Sequence, residues 1–506
     1  MWREHIRSLT LKSSTHPVRP ELVEGPSLFL RLWITAQRKK QSFDKLRMNG
    51  TGLTGLGKIG LVVALLWVNA PSFAEPAPQV SEARLRADIE KLVSFGTRHT
   101  LSSETDPVRG IGAARKWAEA EFRKTSAGCG GCLEIILPDK TVSGDRIPKP
   151  AHIVDVVAIQ RGSERPNEVV IVQGHIDSRV SDVMDAIKDA PGANDDGSGT
   201  ALVLEAARVL SHRKFPTTII YAVLQGEEQG LYGGQLLAEY AKKQGWTVKA
   251  VLNNDIVGNT RGSDGLVDDK TARVFSEGPR ADADDKLRAA ARRFGGENDS
   301  PSRNLSRFVA GLAKPELAVR QVWRADRMGR GGDHLPFLDA GIPAIRFTVG
   351  VENYDHQHQD LRTESGKVYG DSVQFMDFTY LAKVTRLNIA VLDRLARVPM
   401  PPIVTAEASV STDTTIKWSG SQGADSFCIY RRATDAAGWG KPFQCMAVAT
   451  ASSDERSVAP SAYQLDEKLK GVRGDDWLFG MSAFSSDGHE SPISSAVPGG
   501  QFAPLH

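Results

Sequence analysis

In this 506-residue chain, His, Asp and Glu gather in short segments that follow apolar runs. The first is Gln173-Gly-His175-Ile-Asp177-Ser178. A histidine at the end of a strand can ligate a metal while an aspartate two residues on orients its ring. Pro191-Gly-Ala-Asn-Asp195-Asp196-Gly-Ser-Gly199 then leads into a helical pattern. Acidic residues before a helix are often only caps, which is the ordinary reading of that pair taken alone. The run Thr217–Leu224 ends in Gln225-Gly-Glu227-Glu228-Gln-Gly230. Adjacent glutamates point in different directions, so one can bind a metal while its neighbour works as a base. The ordinary alternative is a solvated acidic turn. Val248–Leu252 ends at Asn253-Asn-Asp255, and Ile342–Val349 leads to Glu352-Asn-Tyr354-Asp-His356-Gln-His358-Gln-Asp360. Each segment is weak alone, but coincidence at four strand ends is far less probable than at one.

The elements that must position these groups read as an α/β pattern. Helical stretches are expected over Val80–Phe95, Val108–Lys124, Gly199–Ser211, Gly230–Lys243, Ala283–Phe294 and Asp371–Leu395. Strands are expected over His152–Gln160, Glu168–Gln173, Thr217–Leu224, Val248–Val257 and Ile342–Val349. Alternation of this kind predicts a doubly wound, mostly parallel sheet, whose ligands sit beyond the carboxyl ends of its strands. After Met400-Pro-Pro402 the composition changes to short alternating segments (Thr415–Trp418, Ser426–Arg431, Trp477–Phe484) punctuated by Gly, Ser and Asp, which reads as a small all-β sandwich. From Pro401 to Ser491 this region resembles a fibronectin type III domain, with Trp477 or Phe479 where that fold usually carries a late tyrosine.

The ordered set G-H-x-D-S, P-G-x-N-D-D-G-S-G, G-E-E-x-G-L-x-G, N-x-D and a late His resembles the co-catalytic zinc aminopeptidases. That family of secreted bacterial leucine aminopeptidases also contains glutamate carboxypeptidase-like enzymes. The resemblance spans roughly residues 80–398 and implies a zinc-exopeptidase fold. It implies that His175 and Asp255 bind one zinc, that Glu228 and a late His bind the other, and that Asp195 bridges them. It makes Glu227 the general base on the water between the ions and Asp177 the support of His175. Two zinc ions per chain are expected, with cobalt or manganese as substitutes that suit the same N/O ligand set. The late histidine is left open: spacing to Asp360 selects His356, and the Gln-His context selects His358. The segment Arg330-Gly-Gly-Asp333-His334 resembles the family's S-D-H, with His334 capping a turn or touching substrate. Tyr354 and Arg362 flank the site, and Trp323 is a pocket-lining or core residue.

The reaction implied is hydrolysis of a peptide or small amide. Carboxypeptidase or dipeptide hydrolysis, an inactive binding protein and a cyclase-like transferase are the alternatives. Specificity is expected to rest on the loops around Arg261–Lys270 and Asn298–Arg327. Charge excludes nucleic acid as a partner: residues 1–60 hold 11 Lys/Arg against 4 Asp/Glu, leaving a body of 52 basic and 57 acidic residues. Ile59–Val68, flanked by Lys58 and by Ser72 and Ala74, matches a secretory signal cleaved after Ala74, with Met48 as the expected start. The expected organisation is therefore a leader and signal over 1–74, a metallopeptidase domain over 75–400 and the sandwich over 401–506. The product is periplasmic or extracellular, without a membrane anchor after cleavage. Export makes disulfides reasonable within the local pairs Cys129/Cys132 and Cys428/Cys445.

Overall fold

The computed structural model describes residues 79–448 and 464–505. The expected leader, signal run and cleavage site lie outside the described residues. Nine α-helices are described: α1 Glu82–Val93, α2 Ile111–Gly128, α3 Gly197–Leu210, α4 Glu227–Gly230, α5 Tyr232–Lys243, α6 Asp285–Phe294, α7 Pro301–Leu312, α8 Leu335–Asp339 and α9 Phe378–Arg397. The strands before residue 400 are β1 Glu134–Ile136, β2 Asp139–Gly144, β3 Ile147–Val154, β4 Val156–Gln160, β5 Arg165–His175, β6 Thr217–Leu224, β7 Thr247–Asn254, β8 Thr271–Phe275, β9 Ala318–Val322, β10 Ala344–Val349, β11 Arg362–Glu364 and β12 Lys367–Tyr369.

Eight of them form one sheet in the order β1-β4-β6-β5-β7-β10-β8-β9. The pairings β5–β6, β5–β7, β7–β10 and β8–β9 are parallel, and the other three are antiparallel. Side chains alternate across the sheet as period-2 geometry requires. Val170 and Val172 of β5 pack with residues of α1, α2, α3 and α9, whereas Val169 and Ile171 pack with α5 and α8. Both faces are thus covered, which explains why the central strands are apolar at nearly every position.

Local chemistry sets the element boundaries. Ser81, Asp284, Ser300 and Asp377 cap α1, α6, α7 and α9 by accepting from backbone amides within the first turn. The segment expected as one strand over His152–Gln160 is two strands. Asp155 separates them: its amide donates to Pro138 O (3.0 Å), and its buried carboxylate accepts from Gln225 N (3.1 Å). As a result β3 pairs with β2 in a hairpin and β4 joins the main sheet.

Past Pro402, β13 Val404–Glu407, β14 Thr414–Ser419 and β17 Gln464–Leu469 form one sheet, and β15 Ser426–Ala433, β16 Gln444–Ala447, β18 Trp477–Phe484 and β19 Ser494–Ser495 form another. Ile416 and Trp418 of the first meet Phe427, Ile429, Phe479 and Met481 of the second in a common core. The expected all-β sandwich is therefore present. Cys129–Cys132 and Cys428–Cys445 are both disulfides, the second joining directly opposed residues of β15 and β16.

Candidate metal centre

Strand register assembles the site. Parallel pairing sets His175 beside Leu224, the last residue of β6, and Gln173 beside Asn253 of β7. Three chain exits, at His175, Gln225 and Asp255, therefore open side by side at the carboxyl edge of the sheet. Gly226 turns there at φ +91°, a left-handed conformation that glycine adopts without strain. The entry of α3 closes against the same edge. A Cβ on Gly199 would lie 2.1 Å from Asn254 O, so only glycine permits that approach.

The two acidic residues before α3 divide their work. Asp196 is structural: its carboxylate accepts from Gly199 N (2.8 Å) as the helix cap and from His175 N (3.0 Å). Asp195 turns into the cleft, its own amide held by Asp371 Oδ2 at 2.7 Å. One Asp195 carboxylate oxygen lies 3.3 Å from His175 Nε2, and the other lies 2.9 Å from His358 Nε2. His358 Nε2 is in turn 3.0 Å from Glu228 Oε1. His175, Asp195 and Asp255 form one group whose donor atoms lie within 4.8 Å of one another, and Asp195, Glu228 and His358 form a second. Asp195 belongs to both.

His175 Nε2, Asp195 Oδ2 and Glu228 Oε1 are buried and make no hydrogen bond. Buried polar atoms left without partners are costly unless an ion or water completes them. Two imidazoles and three carboxylates form a donor set that fits zinc. The residues present therefore fit a metal ion by their own geometry. His175 is presented correctly for such a role, because Nδ1 lies 3.0 Å from the Asp177 carbonyl, which can only accept. The ring proton is thus on Nδ1, and Nε2 is free to ligate. The Asp177 carboxylate accepts from Thr100 Oγ1 (2.8 Å), Glu228 N (3.1 Å) and Glu227 N (3.3 Å), so it fixes the turn carrying both glutamates as well as facing His175.

Arginines brace the outer side of this cluster. Arg179 Nε donates to Glu228 Oε2 (2.9 Å), and its Nη2 faces His358 Nδ1 at 2.6 Å. Arg346, fully buried on β10, pairs with Asp255 Oδ1 (2.9 Å) and Asp326 Oδ1 (2.8 Å). Burial works against the charged form of His358, but Glu228 and Asp195 outweigh it and raise its pKa to about 10. Burial pushes the Glu227 carboxyl well above its usual range; His175 opposes the shift, and Glu228, Asp255 and Asp333 reinforce it.

Other expected residues lie elsewhere. His356 stacks on Phe375 with 3.6 Å between ring centroids and belongs to neither donor group. His334 is buried with Nε2 2.8 Å from Ala325 O, a structural contact at the entry of α8. Tyr354 is exposed, Arg362 lies on the exposed β11–β12 hairpin, and Trp323 packs beside Arg303 and Arg307. Sequence reasoning missed Arg179, Arg346 and Asp371. An arginine inside the apolar run Ala344–Val349 was the one visible signal for them.

The family model for peptidase family M28 matches residues 155–367. A probable zinc metalloprotease of Leptosphaeria maculans is 43% identical over 429 residues, which cover 83% of this chain and 96% of that one. One from Pyrenophora teres f. teres is 43% identical over 430 residues, with 83% and 86% covered. Among solved structures, the LapA aminopeptidase of Legionella pneumophila matches at 20% identity with a TM-score of 0.45, covering 63% of this chain and 72% of that chain. The chain belongs to peptidase family M28, the zinc metalloproteases, and is a hydrolase of that class. The alignments with the fungal relatives are longer than residues 75–400, so the likeness is not confined to that region.

Proposed function

We propose that the protein is an exported exopeptidase, an aminopeptidase that removes N-terminal residues with two zinc ions per chain. The observation that carries this reading is Asp195, which is common to both donor groups and offers one oxygen toward each. His175 and Asp255 would complete one zinc site, Glu228 and His358 the other. The stacking of His356 on Phe375 supports His358 as the late ligand. Zinc held there would supply Lewis-acid polarisation of the scissile carbonyl and an acidified water as nucleophile. Glu227 accepts the proton of the attacking water and returns it to the departing amine. Asp177 holds Glu227 and Glu228 by their amides and keeps His175 oriented.

Export is supported by the secretory pattern before Glu75 and by two disulfides. No described helix is long and apolar enough to cross a membrane. The three-plus-four-stranded sandwich supports a fibronectin type III-like module over 401–506, behind a catalytic domain over 75–400 and a leader over 1–74.

The test is release of p-nitroaniline from free and N-acetylated leucine anilides by the zinc-loaded protein and its Glu227→Gln variant. Turnover of the free form alone, reduced about 10²–10⁴-fold in the variant, is expected. A variant as fast as wild type would remove Glu227 from the mechanism, and preference for the acetylated form would remove the aminopeptidase assignment.

A further inference from the structure

The arginines around the metal centre differ in how many of their donors are used. Arg346 is committed to Asp255 and Asp326. Arg327 is committed to Asp326, Glu352 and Gly331 O. Arg179 is committed to Glu228, His358 and Val180 O. Arg346 leaves its buried Nε unpaired, but Arg330 alone of the four leaves a whole Nε/Nη2 edge open. Its Nη1 donates to Glu352 Oε2 (3.1 Å) and Gln357 Oε1 (2.9 Å), while Nε and Nη2 have no partner among the described residues. Its side chain is 28% exposed.

The position of Arg330 is fixed from below. The next carbonyl, Gly331 O, accepts from Arg327 Nη2 (2.9 Å) and Arg346 Nη1 (3.3 Å), and Arg346 is the partner of Asp255. The loop is thereby pinned beside the metal cluster. Burial works against the charged form of Arg330, and the carboxylates of Asp195, Asp255, Glu352 and Glu228 outweigh it in this metal-free structure. The Nε/Nη2 edge of a guanidinium presents two parallel N–H donors, the geometry that matches a carboxylate. Glu352, the nearest acid, is occupied by Arg273, Arg327, Arg330 and Gln357, so it is spent on holding cations and is not free for a substrate ammonium group.

We infer that Arg330 anchors a carboxylate of the substrate, so that the site prefers peptides presenting a carboxylate close to the scissile bond. This rests on the exopeptidase reading and narrows its substrate class. The carboxylate has two possible sources: the free C-terminus of a dipeptide, or an acidic side chain on the residue after the cleaved bond. Arg330 is a specificity residue in this account, with Gln357 and Glu352 holding it in place.

Binding to the zinc-loaded full chain carrying Glu227→Gln tests this without turnover. Calorimetry would compare Leu-Gly with Leu-Gly amide for the first source, and Leu-Asp amide with Leu-Asn amide for the second. In at least one pair the carboxylate form is expected to bind about 10-fold tighter or better. Adding Arg330→Met should bring that ratio to within about twofold, and Arg330→Lys should keep part of it. The pair that shows the preference identifies the source. No preference in either pair, or a preference that survives Arg330→Met because the metal alone takes the carboxylate, would overturn the inference. Failure of the exopeptidase reading is separate: it would show as absent peptide hydrolysis by wild type, while the binding ratios still judge Arg330.

Discussion

Asp195, at the carboxyl edge of the sheet, and Asp299, where α7 meets the sandwich, are both buried carboxylates, 5% and 1% exposed. Their surroundings differ in one respect. Asp299 Oδ1 accepts from Arg432 Nη2 (2.6 Å) and Ser495 Oγ (3.2 Å). Around it, Trp439 Nε1 donates to Asn304 Oδ1 (2.9 Å), and Asn304 Nδ2 donates to Ser495 Oγ (2.7 Å). Nearby, Arg280 donates to the carbonyls of Gly499, Gln501 and Ala503 in the C-terminal tail. At this seam the acceptors named have donors, and the unpaired atoms are donors, Arg432 Nε and Arg307 Nη2. At the sheet edge, Asp195 Oδ2 and Glu228 Oε1 both face the single Nε2 of His358, His175 Nε2 faces Asp195 Oδ1, and none of these contacts has the geometry of a hydrogen bond. Matched polar groups hold two parts of a chain together; convergent unmatched ones hold something that is not protein. The comparison also makes the sandwich part of the folded body, fastened by buried polar contacts to the helices beside the catalytic sheet.

Three substitutions would break or sharpen that contrast, and the largest effect belongs to the seam. Asp299→Ala leaves the buried Arg432 guanidinium without its counter-charge, which should cost roughly 3–5 kcal/mol of stability. Denaturant unfolding would read that loss, and zinc content of the folded fraction should not change. At the site, Asp177→Asn weakens acceptance of the Glu227 and Glu228 amides and the support of His175. Zinc affinity should fall about 10–100-fold in chelator competition, with little change in unfolding of the metal-free protein. The smallest effect concerns Glu277, beside Arg303, whose carboxyl burial raises to about 8 despite an accepted bond from Ala281 N. A carboxyl with a raised folded-state pKa gives stability that is complete below its unfolded value of 4.5 and lost as pH rises through about 8. Glu277→Gln should therefore match wild type in melting temperature near pH 4.5 and exceed it at pH 8. Equal pH slopes in the two proteins would show that Glu277 is not a source of that dependence.

Much of this arrangement was legible in the chain because His, Asp and Glu at strand ends leave a linear trace. Apolar runs mark the strands, and the residues that follow them mark the sheet edge, which is where His175, Glu227, Glu228 and Asp255 stand. Edge strands left no such trace. β8 and β9 are five residues each and carry arginines within them, which blurs the apolar signal. The break at Asp155 depends on Gln225, 70 residues away. The bracing arginines were invisible for a similar reason, since Arg179 meets a histidine 179 positions along the chain. The late histidine shows where spacing fails. His358 adopts φ +52° and turns into the cluster while His356 stacks outside it, and no count of residues distinguishes those conformations.

Zinc stoichiometry tests the two-group centre most directly. Elemental analysis of the zinc-reconstituted protein should give about two ions per chain, about one after His358→Ala, and two after His356→Ala. One ion or none in wild type, or two retained without the His358 imidazole, would contradict a centre built on a shared Asp195.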